Sequence, residues 1–332
     1  MTYKIYEWSE LRGFYSRGAL LIGNGASIAI DSRFNYESLL KYAEKSELLT
    51  HDINMLFDFF ETSDFELILR LVWQASNVNR SLQINDDKTH AAYVRVRECL
   101  IKAVRAIHPQ HYEIAQHIPN IYGFIKNFNT VISLNYDLIL YWAVMYGNEI
   151  SDYHTLKDCF IHGKFDSNWE RLRLPLYMHK TVTLIFYPHG NLILARDKVE
   201  SEFKLSSYGE CLLEDILTEW QSENCIPLFV CEGGSQQKIK AIEGSNYLSV
   251  IYREVYKKIG DKLVIYGWGM WEQDEYIVKR IAQSGVKHIA VSVYGNNQEY
   301  CKRIINTINK LYPPGGIAID FFSCDSPGAW NN

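Results

Sequence analysis

Three short motifs place side chains capable of nucleotide chemistry directly after apolar runs. Gly23-Asn24-Gly25-Ala26-Ser27 follows the first run, Asn135-Tyr136-Asp137 the second and His189-Gly190 the third. A glycine-rich turn ahead of a helix can present backbone N–H groups to a phosphate. An imidazole can take a proton near neutral pH, and an amide can donate and accept a hydrogen bond at once. Together the motifs indicate a site for a phosphorylated ligand with groups that could move a proton.

Each motif also has a structural interpretation that the sequence leaves open. The glycine turn could be only a tight turn after a strand, and Asn135 and Asp137 could cap a helix predicted over residues 138–146. A loop histidine is often a structural residue. Ile161-His162-Gly163 is a second H-G site. We prefer His189 because no strong strand signal precedes His162.

The glycine turn departs from the dinucleotide fingerprint of ordinary dehydrogenases. Ile28 stands where G-x-G-x-x-G has its last glycine. No acidic residue about 20 positions on ends a second strand, because helical patterns intervene. An ordinary dehydrogenase is therefore disfavoured.

The elements that must position these motifs are short, continuous apolar runs. Runs of this kind predict strands covered on both faces, as in a parallel sheet, and helical patterns such as 274–284 and 298–311 lie between several of them. Strand, loop and helix in alternation predict an α/β fold, a Rossmann-like doubly wound parallel sheet of about six to seven strands. The predicted strands are residues 19–22, 131–134, 183–187, 227–230, 263–266, 289–293 and 317–322.

Two intervals interrupt the alternation. Residues 36–127 show helical periodicity and almost no strand signal, which predicts an inserted helical lobe within a single domain spanning 1–332. Residues 146–180 are polar and aromatic and predict a long irregular insertion. Glu66 could close the cleft from the lobe, or could be a first-turn acid favoured by the helix dipole.

Composition excludes several classes of protein. The 332 residues are 47% hydrophobic and 22% charged, with a net charge of −5, so neither a disordered tail nor a nucleic-acid binder is indicated. No run of 18 apolar residues and no signal peptide is found. The seven cysteines are scattered without a C-x-x-C pair, which favours a reducing cytoplasm and no metal site.

The order of the motifs resembles the sirtuin-like NAD-binding family. Beside the glycine turn, Asn135-Tyr136-Asp137 and His189-Gly190, the second half carries P-L-F-V-C-E-G at 227–233, Asn246-Tyr247-Leu248, L-V-I-Y-G-W-G at 263–269 and Gln273-Asp274-Glu275. The set is similar to a prokaryotic, defence-associated subgroup of NAD+ hydrolases that lacks the zinc module. The resemblance spans about residues 18–295 of the chain.

The resemblance implies cleavage of the nicotinamide–ribose bond of NAD+, which is the substrate, with no metal. Asn135 would hold the nicotinamide ribose and orient a water, His189 would take a proton, and Asp137 would hold the nicotinamide end or orient Asn135. Gly23, Asn24, Gly25, Ala26 and Ser27 would cradle the pyrophosphate. The same resemblance assigns Gly190, Gly267 and Asp274 to NAD+ binding, Asp274 on the adenosine side unless it caps a helix.

The resemblance also implies a role and sets its alternatives. Such domains deplete NAD+ in bacterial anti-phage defence, controlled by homo-oligomer assembly or by a separate sensor, ATPase or nucleotide-binding partner. Trp268-Gly269 stands where the family often has a small polar residue, and the deacylases' cysteine pairs are absent. The alternatives are a non-catalytic NAD+ or ADP-ribose-binding regulatory subunit, and a protein deacylase or ADP-ribosyltransferase.

Overall fold

A parallel sheet of eight strands forms the centre of the molecule, which is known from a computed structural model. The structure describes residues 2–150, 152–175, 181–205, 211–230, 233–313 and 315–332. The strands in these ranges are β1 Ile5–Tyr6, β2 Ala19–Ile22, β3 Thr130–Ser133, β4 His154–Lys157, β5 Phe160–Ile161, β6 Lys164–Phe165, β7 Thr181–Phe186, β8 Gly190–Asp197, β9 Glu202–Lys204, β10 Cys225–Phe229, β11 Lys262–Tyr266, β12 His288–Val293 and β13 Ala318–Ser323.

The strand order of the central sheet is that of a doubly wound fold. It reads β1-β13-β12-β11-β2-β3-β7-β4, and every neighbouring pair is parallel. From β2 the chain therefore adds strands first on one side and later on the other. The predicted α/β fold is confirmed, with eight strands instead of six to seven, because β1 and β4 are too short or too polar to be recognised as apolar runs.

Helices flank the sheet and fill the interval between β2 and β3. Residues 36–127 hold helices and one 3₁₀ turn, and Asp64 starts the helix at Phe65 by accepting hydrogen bonds from the backbone N–H groups of Glu66 and Leu67. The division into one domain with an inserted lobe stays a prediction. The helices are α1 Trp8–Tyr15, α2 Asn24–Ile28, α3 Leu39–Lys45, α4 His51–Phe59, α5 Phe65–Ser81, α6 Asp87–Ile107, α7 His111–Ile114, α8 Ile118–Ile125, α9 Ile139–Ile150, α10 Leu212–Gln221, α11 Ser235–Glu243, α12 Asn246–Arg253, α13 Glu275–Ala282 and α14 Gln298–Asn309.

One predicted strand belongs to a different sheet. The apolar run 227–230 was expected in the parallel sheet, but β10 pairs antiparallel with β8, which also pairs antiparallel with β9. Helices α5 and α10 pack against β10. A strand covered by helices is apolar throughout in either kind of sheet, so the residue pattern could not separate the two. Cys231 and Glu232 of the predicted 227–233 motif lie outside the described residues.

The interval 146–180 contains more regular structure than expected. It includes the end of α9, strands β4 to β6 and a 3₁₀ turn at Trp169–Arg173, while residue 151 and residues 176–180 lie outside the described part. Elsewhere the expected burial is found, since every residue of β2 and β3 is buried. Within the described ranges no helix is both long and apolar enough to cross a membrane.

Candidate active site

The loops after four parallel strands border a cleft of about 400 Å³. Gly23 follows β2, Asn135 follows β3, His189 follows β7 and Gly267 follows β11. In open α/β sheets, ligands bind outside the carboxyl ends of the strands, at the point where the strand order reverses. That point is β2 in this sheet, so the cleft lies where the fold places a ligand.

The glycines of the first turn allow two loops to pack backbone against backbone. A Cβ on Gly23 would lie 2.7 Å from Cα of Trp268, and one on Gly267 would lie 2.3 Å from the backbone nitrogen of Ala26. Gly267 also has a φ of 67°, which favours glycine. The N–H of Gly25 donates to the carbonyl of Gly267 at 2.7 Å. This N–H, predicted to hold pyrophosphate, is already used within the protein, and the glycines are explained by close packing.

Ser27 joins the two polar residues of the second motif. Its hydroxyl donates to Oδ2 of Asp137 and accepts from Nδ2 of Asn135 at 2.7 Å. The second hydrogen of Nδ2 goes to the carbonyl of Gly23 at 3.1 Å. Oδ1 of Asn135 has no hydrogen-bond partner among the described residues, so Asn135 can accept a hydrogen bond from a ligand in the cleft but has no N–H left to donate.

Asp137 is held by the start of α9 as well as by Ser27. Its Oδ1 accepts from the backbone N–H of Ile139 at 2.9 Å, the capping interaction that the sequence left open. Burial raises the pKa of Asp137, and the hydrogen bond from Ser27 opposes that shift. Asp137 lines the cleft, but both its oxygens already accept hydrogen bonds, so its geometry favours orienting Asn135 through Ser27.

His189 lies where the central sheet meets the smaller one. Its carbonyl accepts from the N–H of Val230 at 2.7 Å, its Nδ1 lies 3.2 Å from the carbonyl oxygen of Leu134, and its Nε2 is bonded to the hydroxyl of Tyr276. The side chain is only 5% exposed. Burial and, next, the charge of Lys238 lower its pKa, so the ring is neutral. His162, by contrast, lies exposed between β5 and β6.

A buried ion pair that the sequence did not indicate also lines the cleft. Nζ of Lys238 is 2.8 Å from Oδ1 of Asp274, and Oδ2 of Asp274 accepts from the indole N–H of Trp268 at 3.2 Å. Burial raises the pKa of Asp274, but the charge of Lys238 and the hydrogen bonds from Lys238 and Trp268 act against it, and the net pKa lies below its usual value. The Asp274 side chain makes no capping bond to α13. Lys238 lies four residues before buried Ile242 on α11, the one signal that could have placed it inward.

Four residues assigned from the sequence do not line the cleft. Ser27 and Ala26 lie beneath it, and the carbonyl of Ala26 accepts from the indole of Trp330 at 2.8 Å. Gly190 is needed for the turn into β8, since a Cβ there would lie 2.1 Å from the Leu228 carbonyl. Glu66 is buried away from the cleft. Its Oε1 lies 3.9 Å from Nη1 of Arg196, and burial raises its pKa to about 7.

A second cavity of about 640 Å³ adjoins the cleft. The two share Gly25, Gly267, Trp268 and Trp271 among their lining residues. The second cavity lies over the ends of β12 and β13. The guanidinium of Arg303, in its wall, lies 4.1 Å from the ring centre of Trp271. The two spaces together form one elongated site along the carboxyl edge of the sheet.

No group of three or more His, Cys, Asp or Glu side chains in the described part of the chain could hold a metal ion. Tyr136 lines the cleft and stacks on Phe229, with ring centres 5.1 Å apart, while Trp142 packs against His108. Of the neighbouring aromatic residues Tyr136, Tyr141 and Trp142, only Tyr136 lines the cleft.

A family model described as "Domain of unknown function (DUF4917)" matches residues 20–330. No curated protein matches the chain significantly. A solved structure described as "Structural Basis for the Mechanism and Regulation of Sir2 Enzymes" is similar over 91% of this chain and 96% of that chain, with 10% sequence identity and a TM-score of 0.36. A likeness this distant adds nothing to the fold described above, which rests on the strand order.

Proposed function

Because the chain belongs to the DUF4917 family, whose description assigns no reaction, we propose a function from the site: hydrolysis of NAD+ to nicotinamide and ADP-ribose. The observation that carries this proposal is the elongated site at the switch point, which brings an amide and an imidazole to one end. A dinucleotide bound along the strand ends fits such a site.

The nicotinamide end of the substrate would lie in the cleft with Asn135 and His189. Oδ1 of Asn135 is free to accept a hydrogen bond from a ribose hydroxyl, which would fix the sugar relative to an incoming water. The water oxygen would bond to C1′ of the ribose as the bond to the nicotinamide nitrogen breaks. The electron pair leaves on nicotinamide, and the water's proton passes to Nε2 of His189 and then to solvent.

The adenosine end would lie in the second cavity. Ser292 lies near the end of β12, and Cys324 and Asp325 follow β13, so polar groups line this end of the site. Arg303 adds a guanidinium beside the aromatic ring of Trp271, a combination suited to phosphate or to a nucleobase. The sequence assigned Asp274 to the adenosine side of NAD+. Asp274 lies beside Lys238 in the first cleft, so in this placement it would face the nicotinamide end instead.

A specific observation favours a second candidate, a module that binds NAD+ or ADP-ribose without cleaving it. Both ring nitrogens of His189 are bonded within the protein, and both hydrogens of the Asn135 amide are used. A site held in this form would bind a nucleotide but would lack a free base. The two candidates differ only in whether Nε2 of His189 can lose its hydrogen bond to Tyr276 and so become free to take a proton.

An NAD-depleting role in bacterial defence is the wider function that we propose for the hydrolase. Uncontrolled hydrolysis would harm the host cell, so a resting form with low activity and activation by assembly or by a sensor protein would be required. Light scattering of the purified chain, alone and with the product of a neighbouring gene, beside an NAD+ assay, tests this. A strict monomer that hydrolyses NAD+ rapidly by itself would contradict it.

Product analysis separates the candidate functions. A hydrolase incubated with NAD+ releases nicotinamide and ADP-ribose in equal amounts. A binding module returns NAD+ intact, although calorimetry detects its binding. A transferase releases nicotinamide without an equal amount of free ADP-ribose. Equal release of the two products is the expected result, and intact NAD+ under all conditions would contradict the proposal.

A further inference from the structure

The hydrogen bonds of His189 determine which of its nitrogens carries the proton. The carbonyl oxygen of Leu134 can only accept, so Nδ1 must be the protonated nitrogen that donates to it. The ring is neutral because of burial and the nearby charge of Lys238, so Nε2 has no hydrogen. The hydroxyl of Tyr276 must then donate to Nε2. The one basic atom of His189 is therefore occupied by a hydrogen bond from inside the protein.

Tyr276 cannot pass the proton on from a ligand in this arrangement. It is 4% exposed and does not line the cleft. Its hydroxyl makes no other hydrogen bond among the described residues. A phenol whose hydroxyl is hydrogen-bonded only to the histidine serves to hold the ring, and a substrate hydroxyl or water must replace that hydroxyl before Nε2 can act as a base.

The ion pair in the cleft connects the ligand site to Tyr276. Asp274 and Tyr276 lie two residues apart at the start of α13, and Lys238 on α11 is bonded to Asp274. Helices α11 and α13 pack against each other. Lys238 and Asp274 both line the cleft. A ligand phosphate or hydroxyl that contacts either of them would therefore displace the start of α13, which carries Tyr276.

We infer that Tyr276 is a positioning residue that withholds His189 from the substrate, and that a nucleotide contacting Lys238 or Asp274 releases it. The inference rests on the proposed function, because it takes His189 as the base for NAD+ hydrolysis. A ligand can shift this equilibrium only if it binds the released form more tightly. The withheld and released forms then correspond to a resting and an active enzyme.

Nitrogen NMR of protein labelled with ¹⁵N-histidine tests the contact without reference to catalysis. In the wild type, the Nε2 resonance of His189, assigned by its loss in His189→Gln, should be that of an unprotonated nitrogen that accepts a hydrogen bond. In Tyr276→Phe it should move to the position of an unbonded acceptor. Tyr252→Phe is the matched control, because Tyr252 packs 5.9 Å from the Tyr276 ring and has no bond to His189. A resonance unchanged by Tyr276→Phe would overturn the inference.

Adding ADP-ribose to the wild type tests the release. The Nε2 resonance should leave its starting position on binding, and NAD+ turnover by Tyr276→Phe should exceed that of the wild type by about three- to tenfold, the factor that one hydrogen bond corresponds to. ADP-ribose that binds without moving Nε2, or slower turnover in Tyr276→Phe, would overturn the inference alone. Failure of both ADP-ribose and NAD+ to bind would overturn the proposed function and the inference with it. An Nε2 resonance that moves as stated, with no NAD+ turnover in any form, would contradict the hydrolase and the assignment of His189 as its base, while the hydrogen bond from Tyr276 and its release by the nucleotide would stand.

Discussion

Replacing Ser27 with alanine separates two roles that its position allows. As part of a phosphate cradle, Ser27 would contact the ligand, and its loss would weaken NAD+ binding with little effect on folding. The structure places its hydroxyl between Asn135 and Asp137, 1% exposed and outside the cleft lining. Ser27→Ala leaves an amide hydrogen and a carboxylate oxygen buried without that partner. Each such group costs about 1–3 kcal/mol, so for the two together we expect the free energy of unfolding to fall by about 2–6 kcal/mol.

Urea unfolding and calorimetry of NAD+ binding measure the two effects on the same sample. The dissociation constant for NAD+ should change by less than about tenfold, which is 1.4 kcal/mol, while turnover falls because Asn135 is no longer held. Ser32→Ala is the control, since Ser32 is exposed five positions further on. Normal stability combined with a large loss of NAD+ affinity would refute the positioning role and support direct phosphate binding.

Three further predictions concern the histidines and the buried lysine. His189→Ala should abolish NAD+ cleavage, whereas His162→Ala, in an exposed turn, should change turnover by less than about twofold; the reverse pattern would show that the wrong histidine was chosen. Lys238→Met should lower the free energy of unfolding in urea by about 3–5 kcal/mol, because it leaves Asp274 buried without its cation, and a loss below about 1 kcal/mol would contradict that pairing. Burial lowers the pKa of His108 from 6.5 to about 4, so only the unfolded chain binds that proton between these values. The free energy of unfolding should therefore fall by up to about 3 kcal/mol as the pH drops through this window, and His108→Gln should remove that part of the slope.

The sequence predicted the fold best where a buried strand is followed closely by a residue of the candidate site. Strands β2, β3 and β11 each contain a run of apolar residues, and glycine or asparagine follows within two residues of the end of each strand. Parallel strands must bring their carboxyl ends to one edge. That geometry alone accounts for Gly23, Asn135 and Gly267 lining one cleft. Where a strand is short, as in β1, or alternates between buried and half-buried residues, as in β4, no apolar run marks it.

The contacts that determine the reactivity of the site could not be predicted from residue patterns, because they join segments that are far apart in the chain. Lys238 and Tyr276 are brought to His189 by the packing of α11 and α13, which no local spacing encodes. The apolar run of β10 predicts a buried strand but does not indicate which sheet the strand joins, so its pairing with β8 could not be predicted. The use of the Gly25 N–H by the Gly267 carbonyl likewise depends on two loops that are far apart in the chain.

The release of nicotinamide from NAD+ by the wild type and by Asn135→Ala tests the central claim most directly. Both proteins are incubated with NAD+, alone and with the product of a neighbouring gene, and the bound and cleaved nucleotide are measured by calorimetry and chromatography. We expect the wild type to release nicotinamide and ADP-ribose in at least one condition. Asn135→Ala should bind NAD+ within about tenfold of the wild-type affinity and leave it uncleaved, because Oδ1 no longer holds the ribose. A wild type that never cleaves NAD+, or an Asn135→Ala variant that cleaves it at the wild-type rate, would contradict the account.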